Sequence, residues 1–203
     1  MADKKAAPES RFGAGEVTLV DRLCEELSGP NRRIRQEASH TLAKMAEEHP
    51  DTIEAQVETV SQALVDALFR PEAQTRWEAL DALSLIAASH PDLVEEAYEG
   101  AEASLFDDNS SRVRISSFRL LARLGAVSEE KSDKVWPLLD EAIQCFHGDP
   151  GYRDMLTALL ELAQGKASAA TKKALAERIS FDAESGRGYV KTLSAQVVEA
   201  AGK

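Results

Sequence analysis

Apolar residues recur along this chain at three- and four-residue steps, in stretches of helical length broken by Pro, Gly and Ser. Val17, Val20, Leu23, Cys24 and Leu27 make the first run, which ends at Ser28, Gly29 and Pro30. Asn31 is then a predicted N-cap for a second helix, with Ile34, Ala38, Thr41, Leu42 and Met45 facing inward and His49 and Pro50 closing it. Asp51 and Asp92 each have Glu three residues on, a pattern that predicts capping boxes opening two outer helices. Their inward residues are Val57, Val60, Leu64 and Leu68 in the first, and Leu93, Ala97, Ala101 and Leu105 in the second. A further pair begins near Ser132 with Val135, Leu138, Leu139, Ala142, Ile143 and Phe146 inward. There Pro137 either falls in the first turn of a helix starting near Trp136 or kinks a longer one. Asp149 and Pro150 read as the cap and first helical position of the partner helix.

These runs are copies of one unit. Residues 30–51 and 71–92 overlay without gaps at an offset of 41 positions, matching at Pro, Arg, Glu-Ala, Leu, Ala and a closing His-Pro-Asp. Two later copies keep the seven-residue step from Arg to Leu, so that Arg35/Leu42, Arg76/Leu83, Arg114/Leu121 and Arg153/Leu160 correspond. Residues 166–203 form a fifth, degenerate pair with Val190, Lys191 and Val198 in the motif places, as expected of a capping end. Residues 1–15 lack apolar periodicity and predict a flexible arm, leaving 16–203 as a single repeat domain.

The second helices resemble the HEAT repeat family, in which an apolar-Arg pair is followed by a small residue, Leu and a closing small residue. Here the motif reads Ile34, Arg35, Ala38, Leu42, Ala46; then Thr75, Arg76, Ala79, Leu83, Ala87; then Val113, Arg114, Ser117, Leu121, Gly125; and more loosely Tyr152, Arg153, Leu156, Leu160. The resemblance implies an all-α fold, a right-handed α-α superhelix (an α-solenoid) of about five helical hairpins with the second helices on the concave side. It also implies a structural ladder in which Arg35, Arg76, Arg114 and Arg153 pair with acidic residues between repeats. Four positions before each Arg stand Asn31, Glu72, Ser110 and Asp149, of which Asp149 alone is the family's aspartate.

Charge narrows the function classes. Residues 1–164 hold 17 Lys and Arg against 31 Asp and Glu, net −14, whereas 165–203 hold 7 against 4, net +3. The acidity concentrates between Glu47 and Asp108, which disfavours nucleic acid and admits a basic protein partner. No apolar run reaches the length of a membrane span and the first residues lack the apolar core of a secretory signal, so the expected setting is cytoplasmic. Cys24 and Cys145, 121 positions apart on apolar helical faces, are expected to be buried free thiols.

The sequence holds no phosphate loop, His-Glu-x-x-His or nucleophile elbow, and predicts neither cofactor nor metal. The nearest constellation is Cys145, His147 and Asp149 at a helix end, expected to be accidental. Some DNA glycosylases are built from HEAT-like repeats, so a nucleic-acid enzyme is the alternative function, disfavoured by the charge. The leading expectation is a non-catalytic scaffold binding a partner peptide or helix on its concave face; self-association is a third arrangement. On a helical wheel position 36 lies opposite the inward face, and its equivalents include Trp77 and Ile115. These two, flanked by Leu80, Asp81, Phe118 and Arg119, are the expected partner-binding residues.

Overall fold

The structure, a computed structural model, describes residues 18–203. The predicted arm, with Phe12, and Val17 of the first apolar run lie outside these residues. Among the described residues there are eleven α-helices, one 3-10 helix and no strand. In chain order they are α1 (Leu19–Ser28), α2 (Arg32–Glu48), α3 (Asp51–Glu54), α4 (Val57–Ala67), α5 (Ala73–Ile86), the 3-10 helix (Pro91–Ala97), α6 (Tyr98–Ser104), α7 (Ser111–Gly125), α8 (Glu129–Phe146), α9 (Tyr152–Gln164), α10 (Ala169–Ser185) and α11 (Tyr189–Ala201).

These helices stack as an α-solenoid of five hairpins in two layers. The second helices α2, α5, α7, α9 and α11 pack side by side in one row, each against the next. In the outer layer α1 packs on α4, α4 on the 3-10 helix, and α8 on α10. One continuous apolar cluster runs between the layers from Val20 to Ala200. Its small members, such as Ala38, Ala79 and Ala122, are fully buried, which lets neighbouring helix backbones approach closely. No helix among the described residues is long and apolar enough to cross a membrane.

Side chains cap five of the helices, α1, α2, α7, α8 and α10. Asn31 accepts hydrogen bonds from the Arg33 and Ile34 amides, as predicted. Ser110, Ser128 and Ser168 cap α7, α8 and α10 in the same way. A true capping box occurs at α1: Thr18 Oγ1 accepts from the Asp21 amide (3.1 Å) while the Asp21 carboxylate accepts from the Thr18 amide (2.9 Å).

The capping boxes expected at Asp51 and Asp92 do not form. Pro50 and Pro91 already have the φ of a first helical position, so the chain enters the helix at the proline and each Asp falls in the first turn. The start expected at Asp149 also moves: Gly151 is the N-cap of α9, and Asp149 is turned toward Arg114 instead. Helix α8 begins at Glu129, before Ser132, and carries Pro137 in its interior. Ser132 Oγ there accepts from the Ser168 amide (2.9 Å), tying this helix to the next repeat. Cys24 is buried as expected, but Cys145 is exposed, because it lies on the solvent side of α8 while Ala142 and Ile143 face the core.

The inward face predicted for α2 is rotated in the structure. Ile34 is 37% exposed, and the buried set is Arg35, Ala38, Ser39, Leu42 and Ala46. The cause is polar pairing along the second-helix row: Ser39 donates to Glu78 of α5 (2.6 Å) and Arg35 pairs with Glu72.

Gly165 closes the turn after α9 against the turn after α7. A Cβ there would meet Ala126 Cβ and the Ala126 carbonyl oxygen, both at 2.6 Å, where the Lys166 amide donates to that same carbonyl (2.8 Å). Because backbone is the obstacle, Gly165→Ala is expected to cost about 1 to 3 kcal/mol of stability. Urea unfolding, compared with Gly202→Ala as a control where a Cβ would meet its nearest neighbour at an ordinary 3.6 Å, checks this.

Candidate functional site

The second-helix row forms the floor of a groove of roughly 450 Å³. Helix α5 lays Trp77, Asp81 and Leu85 along it at four-residue steps, so they stand one above another on a single face. Trp77 is half-buried against the core, whereas Leu85 is 39% exposed. Helix α7 adds Arg112, Arg119 and Arg123, α2 adds His40, Lys44 and Glu47, and α9 adds Glu161.

Charged side chains across the groove are cross-linked between neighbouring helices. Arg112 and Arg119 both donate to Asp81, at 2.9 and 3.0 Å, so one carboxylate serves two guanidinium groups. Arg123 donates to Glu161 (2.8 Å) and to the Ser84 carbonyl (2.6 Å), bridging α5, α7 and α9. His40 Nδ1 lies 3.0 Å from Glu78. Gln36–Gln74, His40–Glu78, Asp81–Arg119 and Arg123–Glu161 are each separated by 38 residues, which is the register of one second helix against the next. Asp81, Glu78, Arg119, Arg123 and Glu161 are therefore held in fixed places between helices, while Lys44 and Glu47 stand exposed on α2.

Trp77, Asp81 and Arg119, expected at the site from sequence, come together in this groove. Ile115 and Phe118 do not; they line a separate pocket of about 300 Å³ between α7, the end of α8 and the start of α9. Phe118 is 1% exposed and Leu80 is fully buried, so neither is a surface residue. A helix in the middle of the row is covered by two neighbours and by the outer layer, which leaves only a narrow stripe open. Three residues on from Trp77 or Ile115 the wheel has already turned away from that stripe. Sequence reasoning missed Lys44, Glu47, Glu78, Leu85, Arg112, Arg123 and Glu161; for Glu78, Arg123 and Glu161 a charged partner at the 38-residue register was the available signal, and the other four carry none.

Behind the groove runs an arginine ladder. Arg35 (7% exposed) pairs with Glu72 (6% exposed), and Arg76 with Asp107 at 2.8 Å. Arg114 donates to the Asp107 carbonyl (2.7 Å) and stands 4.0 Å from Asp149. Each of these three arginines thus reaches an acid of the following repeat. Arg153 instead lies over the Tyr189 ring, 5.5 Å from its centroid, where α11 closes the array. The hydrogen bond from Arg35 holds the Glu72 carboxyl below the usual carboxylate range.

Cys145 is exposed, and His147 and Asp149 point to different partners. His147 turns to Asp182 (3.0 Å) and packs at a tilt of 58° against the Tyr152 ring, with centroids 4.8 Å apart, while Asp149 faces Arg114. Tyr152, fully buried, donates to the same Asp182 (2.7 Å), and burial followed by that contact pushes its phenol pKa far up. These groups lock α9 to α10. No group of three or more His, Cys, Asp or Glu able to hold a metal occurs among the described residues.

The acidity of the chain lies mainly elsewhere. Asp51, Glu54, Glu58 and Asp66 on α3 and α4 are exposed, as are Asp92, Glu95, Glu96, Glu99 and Glu102 on the 3-10 helix and α6. These outer helices carry no Lys or Arg of their own.

No protein-family model matches this chain, and no curated protein matches it. Its fold is similar to that of solved repeat proteins. An engineered protein is 21% identical with a TM-score of 0.72, the alignment covering 90% of this chain and 79% of that one. A designed armadillo repeat protein in complex with the peptide (KR)4 is 19% identical, TM-score 0.72, covering 88% and 80%. Computationally designed armadillo repeat proteins for modular peptide recognition give 18% identity and a TM-score of 0.67, again covering 88% and 80%; at these identities the likeness shows a helical repeat solenoid, and that fold alone.

Proposed function

We propose that this chain is a non-catalytic scaffold that binds a peptide or helix of another protein along its second-helix groove. The observation that carries the reading is the α5 stripe of Trp77, Asp81 and Leu85, an apolar pair around a clamped charge on the open side of a rigid helical row. An apolar anchor within an ordered polar rim is the usual make-up of a protein-binding site. Designed armadillo proteins of similar fold, named for peptide recognition, support the same use of the row. Within the class, the arginine ladder favours HEAT-like units. The short α3 and the 3-10 helix give the second and third repeats three helices each, the armadillo arrangement.

Leu85→Lys tests this reading. Trp77 is a poorer probe, because it packs on the core and its truncation reaches folding as well as binding. Leu85 is an exposed groove residue, so the substitution should leave the melting temperature nearly unchanged and weaken capture of protein partners by about tenfold or more, a loss of about 1.4 kcal/mol or more. Equal capture by wild type and variant would remove the groove from the account.

A further inference from the structure

We infer that the groove is electrically polarised across its width and selects a mixed-charge segment, with carboxylates over α7 and amines or guanidiniums over α2 and α5, rather than a uniformly basic peptide. This rests on the groove being the binding site. The net charge of the chain, −11, points by itself to a basic partner. The groove's own lining says otherwise, because the unbalanced acids sit on the outer helices.

On the α2 and α5 wall Lys44 stands against exposed Glu47, buried Glu78 and the clamped Asp81, one positive charge to three negative, net −2. On the α7 and α9 wall Arg112, Arg119 and Arg123 stand against Glu161, three positive to one negative, net +2. The groove is therefore neutral as a whole and dipolar across its width. Arg112 and Arg119 share the single Asp81 carboxylate, which leaves guanidinium donors on the α7 side unmatched by acid. The Arg112 side chain is 53% exposed, so it can take a partner carboxylate without giving up its bond to Asp81.

On α5 itself Trp77 and Leu85 flank Asp81 and form the seat for an apolar side chain beside the α7 arginines. A segment carrying acid on the flank over the α7 arginines, an apolar residue over α5 and base on the flank toward Glu47 of α2 meets each of these in turn. An all-basic peptide meets three arginines on one side, and like charges facing each other at an interface are strongly rejected.

Three fluorescein-labelled peptides of equal length test the inference by anisotropy at low salt. One alternates Glu and Lys around central leucines, one is (KR)4 around the same leucines, and one replaces every Lys and Arg by Asp or Glu. The mixed peptide should bind about tenfold more tightly than either other. In Arg112→Glu, whose side chain is exposed and whose folding is checked by melting, the order should shift toward the basic peptide. In Glu47→Lys, on the opposite wall, the basic peptide should weaken further.

Preference of wild type for the basic or the acidic peptide, or an order unmoved by both charge variants, would overturn the inference while leaving the groove reading intact. Failure of all three peptides to bind, or binding indifferent to Leu85→Lys, would take the groove reading with it.

Discussion

Phe118→Ala is expected to lower the stability of this protein by about 3 to 5 kcal/mol. Phe118 is 1% exposed, belongs to the continuous core and sits on α7 in the middle of the second-helix row. Its ring also forms part of the wall of the pocket between α7 and α9, so truncation joins a new void to an existing one and the surroundings collapse poorly onto it. For a chain of this size the loss corresponds to a fall in melting temperature of about 10 °C. Denaturant and thermal unfolding measure it. A variant that melts with the wild type but loses a partner would return Phe118 to the surface, where the helical wheel had put it.

Glu72→Ala carries the second large effect. Removing the carboxylate strands Arg35, which is 7% exposed and also donates to the Gly29 carbonyl (2.9 Å). Breaking a buried ion pair by deleting one partner typically costs about 3 to 5 kcal/mol, because the remaining charge stays desolvated. The pH dependence gives a second signature. Arg35 lowers the Glu72 pKa in the folded chain, so the pair stabilises fully above the unfolded value of about 4.3 and its contribution is lost as pH falls through the folded value. The stability gap between wild type and Glu72→Ala should accordingly be widest near neutrality and narrow in acid. A gap independent of pH, or below about 1 kcal/mol, the usual worth of an exposed pair, would show that this rung contributes little.

The helical array was legible because four of the five units repeat the same local instruction. The step from Arg35 to Leu42 recurs at Arg76, Arg114 and Arg153, and each copy lies on a second helix of the row. The acids that meet those arginines were less legible. Glu72 and Asp149 stand four residues before the next arginine, but Asp107 stands seven before Arg114, since the connection after α6 is built differently. Carboxylates are placed by loop geometry, which a fixed offset does not capture.

The groove was half legible for a related reason. The wheel was phased on α2, the first helix of the row, with a row neighbour on one side only, and it overestimated the open arc of α5 and α7. Trp77, Asp81 and Arg119 fall on the remaining stripe, and Leu80 and Phe118 fall off it. The charge of the groove could not be read from totals along the chain. The acidic middle of the sequence divides between an exposed outer layer and carboxylates already clamped by arginines.

Hydrogen exchange of the chain with and without its best-binding peptide tests the central claim most directly. The account predicts protection centred on α5 and α7, residues 73–86 and 111–125, with Leu85→Lys abolishing it. Protection confined to the acidic outer helices, residues 51–67 and 91–104, would contradict it and move the binding surface to the opposite side of the solenoid.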